Sequence, residues 1–477
     1  MNKTILTEGD EGVQLIIREP RGKSSKTITL PAETRSPVHV VYGGADRFSA
    51  DTPAKLGRLA VAAMENYAAN FVEFAAAMRL AGSETLPTFP KAVADLEKRL
   101  KKDAEKVRQE NYAAWFAWTV YSRTLEKLRT EAVEDFRIDF EDGYGIHSDE
   151  AEDADAKKAA TQLAESFTAR TITHFCGFRI RPLGKETAER AERTLKIFLD
   201  TLLKAAQGKL PPNFVVTLPK VAHPKEVKKL SRLLKKFERK NDLPVGGIGI
   251  ELLIETPEAV IDKKGRIAIA ALVKASGGRC TSLHVGAYDL TASLGISAVY
   301  QDIRHPACDL VRQIMLIASA GLGVRLSDSV TTQLPLPAHR GEKLSAEQAA
   351  ENKRSVHRGW KVHFDNITHS MANGFYQSWD LHPNQLPARY AAVFAFFIGG
   401  AEAQGERLKR FVELAARAVT TGTVFDDAAS AQGLLIFFAK ALSCGALTAG
   451  EIEFLTGLTA DEIRGGSFAE IVDRRQS

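Results

Sequence analysis

The chain runs to 477 residues, 44% hydrophobic and 26% charged, with 64 Lys+Arg against 59 Asp+Glu and a formal net charge of +5. A charge so small and so interleaved points to neither a nucleic-acid nor a membrane partner. The length fits two to four domains of roughly 100–200 residues, or one α/β barrel of about 250 with additions. Cys176, Cys280, Cys308 and Cys444 lie far apart with no CxxC pair, so reduced thiols and a cytoplasmic location are expected. Acids near the N-terminus stand where a signal peptide needs an apolar core. The most apolar stretch, 390–401, is shorter than the ~18 residues of a membrane span.

In chain order, residues 1–37 carry two alternating runs, 13–17 and 26–30, around a Pro-Arg-Gly turn, and predict an added hairpin. A β-rich run at 38–42 follows. Residues 53–131 have helical spacing almost throughout, with Tyr112, Trp115, Phe116 and Trp118 as the natural core of that insertion. Further β-rich runs fall at 136–140, 177–180, 214–218, 249–254, 282–285, 323–326 and 377–381, each followed by a helical stretch. Several are near-continuously apolar, as in a parallel sheet covered by helices. Eight such runs predict a (β/α)8 TIM barrel over 38–387, of the α/β class. A doubly wound open sheet is the competitor, and it lacks a Gly-rich nucleotide fingerprint. In 228–240, Leu230, Leu233, Leu234 and Phe237 share one helical face, leaving the lysines as a solvated face rather than a nucleic-acid patch. A short insertion at 335–358 follows the seventh run. Residues 388–477 predict a helical C-terminal segment serving as lid or oligomer contact.

A barrel places its chemistry where the strands end. Those ends carry Asp139, Glu141, Glu255, Asp289 and Asp328 with Arg179 and Arg181, five carboxylates and two guanidiniums on one rim. Each ion buried without a partner costs several kcal/mol. A hard divalent cation relieves this, since Mg2+ takes one or two protein carboxylates and fills its octahedron with water and substrate oxygens. Glu255 and Asp289, ending consecutive strands, are the expected ligand pair; the bland alternative is a set of solvated loop acids. His363 and His369, six residues apart, suit neither a helix face nor a hairpin as a metal pair. His382, before a proline, reads equally as a turn residue or a substrate contact. No P-loop, GxGxxG, HExxH or GxSxG occurs.

Phe-Arg-Ile-Asp-Phe-Glu-Asp-Gly, Phe-Arg-Ile-Arg-Pro, Leu-Pro-Lys, Leu-Ile-Glu-Thr-Pro, Gly-Ala-Tyr-Asp-Leu-Thr-Ala-Ser-Leu-Gly and Leu-His-Pro-Asn-Gln occur in that order. Together they resemble the successive motifs of the HpcH/HpaI aldolase and citrate lyase β-subunit family and its malyl-CoA lyase relatives, over 38–48 and 136–435. The resemblance implies Glu255 and Asp289 as magnesium ligands (Mn2+ being the alternative ion) and Arg179 on the substrate carbonyl oxygen. It implies Gly286 and Ala287 amides on the 2-oxo acid carboxylate, and Glu141 and Asp142 near a metal-bound water, with Asp139 behind them. Gly422-Thr-Val-Phe-Asp426 resembles the family's lid motif, in which an aspartate reaches a neighbouring subunit. Asp426 is then a candidate acid or base, and a homo-oligomer, a trimer or hexamer, is implied. Two departures stand out. Arg181 replaces the family's asparagine and would suit an additional substrate carboxylate or phosphate. The first strand continues Gly43-Gly-Ala-Asp-Arg47-Phe instead of the usual Arg-Pro-x-Arg, which leaves use of a CoA thioester open and makes Arg47 a substrate-binding candidate.

The chemistry expected is carbon–carbon cleavage, or its reverse, through a metal-stabilised enolate of a 2-oxo acid or 3-hydroxyacyl thioester. A separate base must move the proton, and Asp426, Glu141 or a metal-bound water could serve. Lys220 is read as structural, not as a Schiff-base nucleophile. The alternatives are a phosphoenolpyruvate-type phosphotransfer or mutase enzyme, with Arg181 on phosphate, and a catalytically silent barrel kept as a scaffold.

Overall fold

The computed structural model describes residues 35–474 except 342 and 422–427. The runs at 13–17 and 26–30 and the lid motif with Asp426 lie outside the described residues. The chain divides into two units, Met1–Glu33 and Thr34–Ser477, and the barrel with all its helices belongs to the second.

Eight parallel strands close into a barrel in sequence order: β1 (His39–Gly44), β2 (Asp135–Asp139), β3 (Phe175–Arg179), β4 (Phe214–Leu218), β5 (Gly249–Ile254), β6 (Cys280–Val285), β7 (Arg325–Val330) and β8 (Gln377–Asp380). Closure is made by β1 on β8, with His39 opposite Ser378 and Val40 opposite Trp379. This is the (β/α)8 class expected from the eight runs. Alternation along the strands sorts the side chains into two cores. Val41, Phe136, Ile138, Phe178, Val216, Ile250 and Leu252 belong to the large cluster shared with the helices. Val40, Tyr42, Leu253, Val330 and Trp379 form a separate one.

Between β1 and β2 come α1 (Thr52–Tyr67), α2 (Phe71–Met78), α3 (Pro90–Lys102), α4 (Ala104–Glu110) and α5 (Tyr112–Glu131). Asn70, Asp103 and Asn111 each accept a backbone N–H at a helix start. The later strands are separated by α6 (Asp149–Thr168), α7 (Ala188–Ala205), α8 (Pro224–Lys240), the short pair α9 (Pro257–Val260) and α10 (Ile269–Ala275), then α11 (Ala287–Ser293), α12 (Pro306–Ser319) and α13 (Ala346–Ala372). In α8, Leu230 and Leu234 are buried and the lysine face is outward. The expected insertion at 335–358 is in its second half the opening of α13, which Ser345 and Gln348 cap reciprocally. The tail holds α14 (Leu386–Thr421), α15 (Ala428–Ser443), α16 (Ala449–Thr456), α17 (Ala460–Gly465) and α18 (Phe468–Arg474). Among the described residues no helix is long and apolar enough to cross a membrane.

Inside the barrel lies a fully buried polar layer centred on Glu251. Its carboxylate accepts from Arg137 Nε (3.1 Å) and Nη2 (2.8 Å), Thr217 Oγ1 (2.7 Å), Ser282 Oγ (2.7 Å) and Tyr42 OH (3.1 Å). Trp379 Nε1–H donates to His284 Nδ1 (3.1 Å), so His284 carries its proton on Nε2, 2.9 Å from Glu251. Burial alone would favour a neutral Glu251, but Arg137 and His284 hold its carboxyl well below the ordinary range. The buried carboxylate persists here because Arg137 and three hydroxyl donors satisfy it.

Candidate active site

The rim is organised by Asp139, the last residue of β2, which stands in register with Arg179, the last residue of β3. Asp139 grips the guanidinium with both oxygens, Oδ1 to Nε at 2.6 Å and Oδ2 to Nη2 at 2.5 Å. The same oxygens accept the amides of Glu141 (3.0 Å) and Gly143 (2.7 Å). A Cβ at position 143 would lie 2.5 Å from Asp139 Oδ2, so the turn requires glycine. Arg179 Nη1 is 2.9 Å from Glu141 Oε2, and the guanidinium carbon sits 5.0 Å from the centre of the Tyr42 ring. Burial opposes the arginine's charge, but Asp139 and Glu141 outweigh it and raise its pKa. A bidentately held, always-charged donor is thus fixed at the barrel mouth.

Lys220, just past β4, brings a second cation. Its Nζ donates to Glu141 Oε1 and to Asp142 Oδ1 (3.1 Å), and approaches Asp289 Oδ1 at 3.7 Å. Burial works against its charge, yet Glu141 and Asp142 raise its pKa, so it is an ammonium and not a free amine nucleophile. Burial likewise pushes Glu141 up, against Arg179 and Lys220. For Asp142 burial is outweighed by Arg179, a Glu141 hydrogen bond and Lys220, and the result is downward.

Glu255, one residue past β5, is 2% exposed. Its Oε1 accepts the Lys220 backbone N–H at 2.6 Å, and Oε2 has no hydrogen-bond partner among the described residues. Burial first, then repulsion by Asp289, lifts its carboxyl to about 8, with Arg179 opposing. A Cβ at position 286 would stand 2.3 Å from Glu255 Oε2, so Gly286 is the residue that lets this carboxylate reach the rim. Asp289, in the first turn of α11, is half exposed. Among the described residues no group of three or more His, Cys, Asp or Glu could hold a metal. Glu255 and Asp289 fit a different demand. Two hard oxygen donors that repel each other, one with a free oxygen, suit an ion such as Mg2+ that keeps water and substrate in its remaining positions.

Over residues 26–471 the sequence matches the model of a domain of unknown function, DUF6986. The chain belongs to that family. No curated protein matches the sequence. Among solved structures, the DUF6986 chain is similar to Haloferax volcanii malate synthase in its native form at 3 mM glyoxylate, with 15% identity over 68% of this chain and 88% of that one, at a TM-score of 0.42. For the lead(II) complex of the same enzyme the figures are 17%, 55%, 64% and 0.42, so the match spans under two thirds of that chain. The citrate lyase β subunit of M. tuberculosis, complexed with oxaloacetate and magnesium, is 18% identical over 58% of this chain and 93% of that one, at a TM-score of 0.35.

The other residues singled out by sequence occupy varied places in the barrel. In this DUF6986 chain the amides of Gly286 and Ala287 donate within the protein, to Ile254 O (3.1 Å) and Ser329 Oγ (3.0 Å). Arg181 turns away to α6, where Nε meets Glu152 Oε2 (2.9 Å) and Nη2 the Gly145 carbonyl (3.0 Å). Arg47 is largely exposed, donates to Gly143 O (3.1 Å), and lines a cavity of about 370 Å3 with Tyr42, Lys55, Phe136 and His382. Asp328 is a correction. It lies inside β7, fully buried, bonded to Arg312 of α12 (2.8 Å) and Ser370 of α13 (2.5 Å), so it is no rim carboxylate. His382 accepts the Asn384 amide as a turn cap. His363 bonds Asp380 (2.7 Å) and His369 bonds Asp309 (2.8 Å), so the two histidines serve separate places. Sequence reasoning gives no site role to Lys220 or Ser329; the signal available for Lys220 is its place, directly after a strand end.

Proposed function

We propose that this protein is a magnesium-dependent carbon–carbon lyase, or catalyses the reverse condensation, acting on a 2-oxo acid through its enolate. The observation that carries the reading is the pairing of two fixed features on one rim. One is Arg179, anchored bidentately and buried; the other is Glu255, buried with one free oxygen beside Asp289. Bound Mg2+ would be held by Glu255 and Asp289 and would supply Lewis-acid stabilisation of the enolate oxygen. Arg179 supplies a second positive donor to that oxygen, and Asp139 keeps it from reorienting as charge develops. Donors of this kind are typically worth about 3–4 kcal/mol of barrier. Glu141, pushed up by burial and shared between Arg179 and Lys220, is the chain's own group placed to give or take a proton. The 370 Å3 cavity beside Arg47 gives a second reactant room. Reaching the carboxylate of a 2-oxo acid with the Ala287 amide would require Ser329 to release it. The family resemblance adds Asp426 of a second copy as an acid or base, a contribution that sizing in solution and an Asp426→Asn variant address.

The test is calorimetric titration of metal-stripped protein with Mg2+ plus pyruvate, glyoxylate or oxaloacetate, repeated on Glu255→Gln and Arg179→Met. Binding of a 2-oxo acid that needs Mg2+ and is lost in both variants is expected. Binding untouched by Glu255→Gln would remove the ligand assignment, and no binding of any of the three would remove the substrate class.

A further inference from the structure

Lys220 has an unusual backbone. Six described non-glycine residues have positive φ; five of them follow helices or precede a strand, and only Lys220, at +48°, stands at a strand's C-terminal end. Left-handed backbone is disfavoured for a side chain bearing a Cβ and persists where surroundings impose it, often at functional sites. From this backbone the Lys220 N–H donates to Glu255 Oε1 at 2.6 Å. The side chain of the same residue sets its ammonium on Glu141 and Asp142 and 3.7 Å from Asp289. One residue therefore positions one candidate metal ligand through its main chain and neutralises the surroundings of the other through its side chain.

The charges make the consequence definite. Asp139, Glu141, Asp142 and Asp289 share two cations among the described residues, Arg179 and Lys220, and the fifth carboxyl, Glu255, meets Lys220 through its main chain alone. Arg179 is committed bidentately to Asp139, and Lys220 alone of the two contacts Asp289. An ammonium beside Asp289 and a divalent cation on that carboxylate repel each other at short range, where screening by salt is weak. Lysine is suited to yielding. Its charge rides on a flexible four-carbon stem, the side chain here is 32% exposed, and Asp142, 57% exposed, offers it a partner nearer solvent.

We propose that Lys220 is the site's built-in counter-ion, and that a divalent cation enters by exchange, its ammonium giving up Asp289 as the ion arrives. This rests on the reading of Glu255 and Asp289 as ligands. Asp289 then keeps a counter-charge in the metal-free protein, and the ion's affinity is set lower than the acid cluster alone would give.

The experiment is calorimetric titration of the full-length, metal-stripped protein with MgCl2 alone, at fixed pH and ionic strength, with melting temperature read in parallel. Lys220→Met, and Lys220→Gln should the first not fold, are expected to bind Mg2+ about tenfold or more tightly than wild type. Their metal-free melting temperature should fall, and Mg2+ should raise it by more degrees than in wild type. Lys220→Arg should bind no more tightly than wild type. Equal or weaker Mg2+ binding by both neutral variants overturns the exchange. Adding Glu255→Gln to Lys220→Met separates the two ideas. Affinity lost in the double variant keeps the ligand reading, whatever Lys220 does, and affinity retained in it overturns that reading. No Mg2+ binding by any variant overturns both.

Discussion

Glu255→Gln removes one titrating proton and nearly preserves the side chain's shape, including an oxygen for the Lys220 amide. In the folded protein the Glu255 carboxyl is lifted from 4.5 to about 8, by burial first and by Asp289 next. In the unfolded chain it ionises near 4.5. Below pH 4.5 the group is protonated in both states and costs nothing. As pH rises, the unfolded state ionises first, and stability drains away until the folded carboxyl also ionises, near pH 8. The full loss corresponds to about 5 kcal/mol, since each pH unit of difference is worth about 1.4 kcal/mol. The variant has no such loss. Urea unfolding of the two proteins in EDTA, from about pH 5 to 9 at constant ionic strength, should give a stability difference favouring the variant. That difference should grow with pH and level off above about 8. Carboxylates that do not interact with Glu255 cancel in it. A difference flat with pH, or wild type the more stable at the alkaline end, would refute the argument that Glu255 is a desolvated carboxyl repelled by its neighbour. Saturating Mg2+ should close the gap by stabilising wild type alone.

Three further outcomes are expected. Gly286→Ala places a Cβ 2.3 Å from Glu255 Oε2 and 2.4 Å from Glu255 Cβ, so it should cost about 1–3 kcal/mol in urea unfolding and abolish Mg2+ binding by calorimetry. Arg137→Met removes the guanidinium that Glu251 and Asp135 share in the barrel and should cost about 3–5 kcal/mol. Part of that stability should return in Arg137→Met/Glu251→Gln. Tyr42→Phe removes one of several donors to Glu251 but keeps the ring under Arg179, so a loss near ~1 kcal/mol is expected with 2-oxo acid binding within about twofold of wild type; a roughly tenfold weakening would contradict it.

The strands could be read because their burial is written in apolar side chains; 214–218 and 249–254 coincide with β4 and β5. Where burial is achieved by polar partners the pattern fails. The seventh run ends at 326 in the sequence, but β7 continues through Ser327, Asp328, Ser329 and Val330, all buried. Arg312 and Ser370 satisfy Asp328 from α12 and α13, and no periodicity reveals such a contact. Arg181 lies two residues after Arg179, a spacing that would share its face on a continued strand, but β3 ends at Arg179 and the chain beyond it takes Arg181 to Glu152. The carboxylates that gather at the rim were legible because strand ends were; the placement of Lys220 among them depends on a backbone angle that composition does not express.

The seam between β1 and β8 joins His39 to Ser378, and this has a consequence for the protein's birth on the ribosome. Some 340 residues separate the two edges, so at a synthesis rate of about 5–20 residues per second the first strand waits roughly 17 to 70 s for its last neighbour. Until β8 is made, β1 has no strand to pair with along that edge. Closure of the barrel therefore cannot precede the synthesis of β8. A chain cut short before β8 would retain that unpaired edge, and edges of this kind seek other chains.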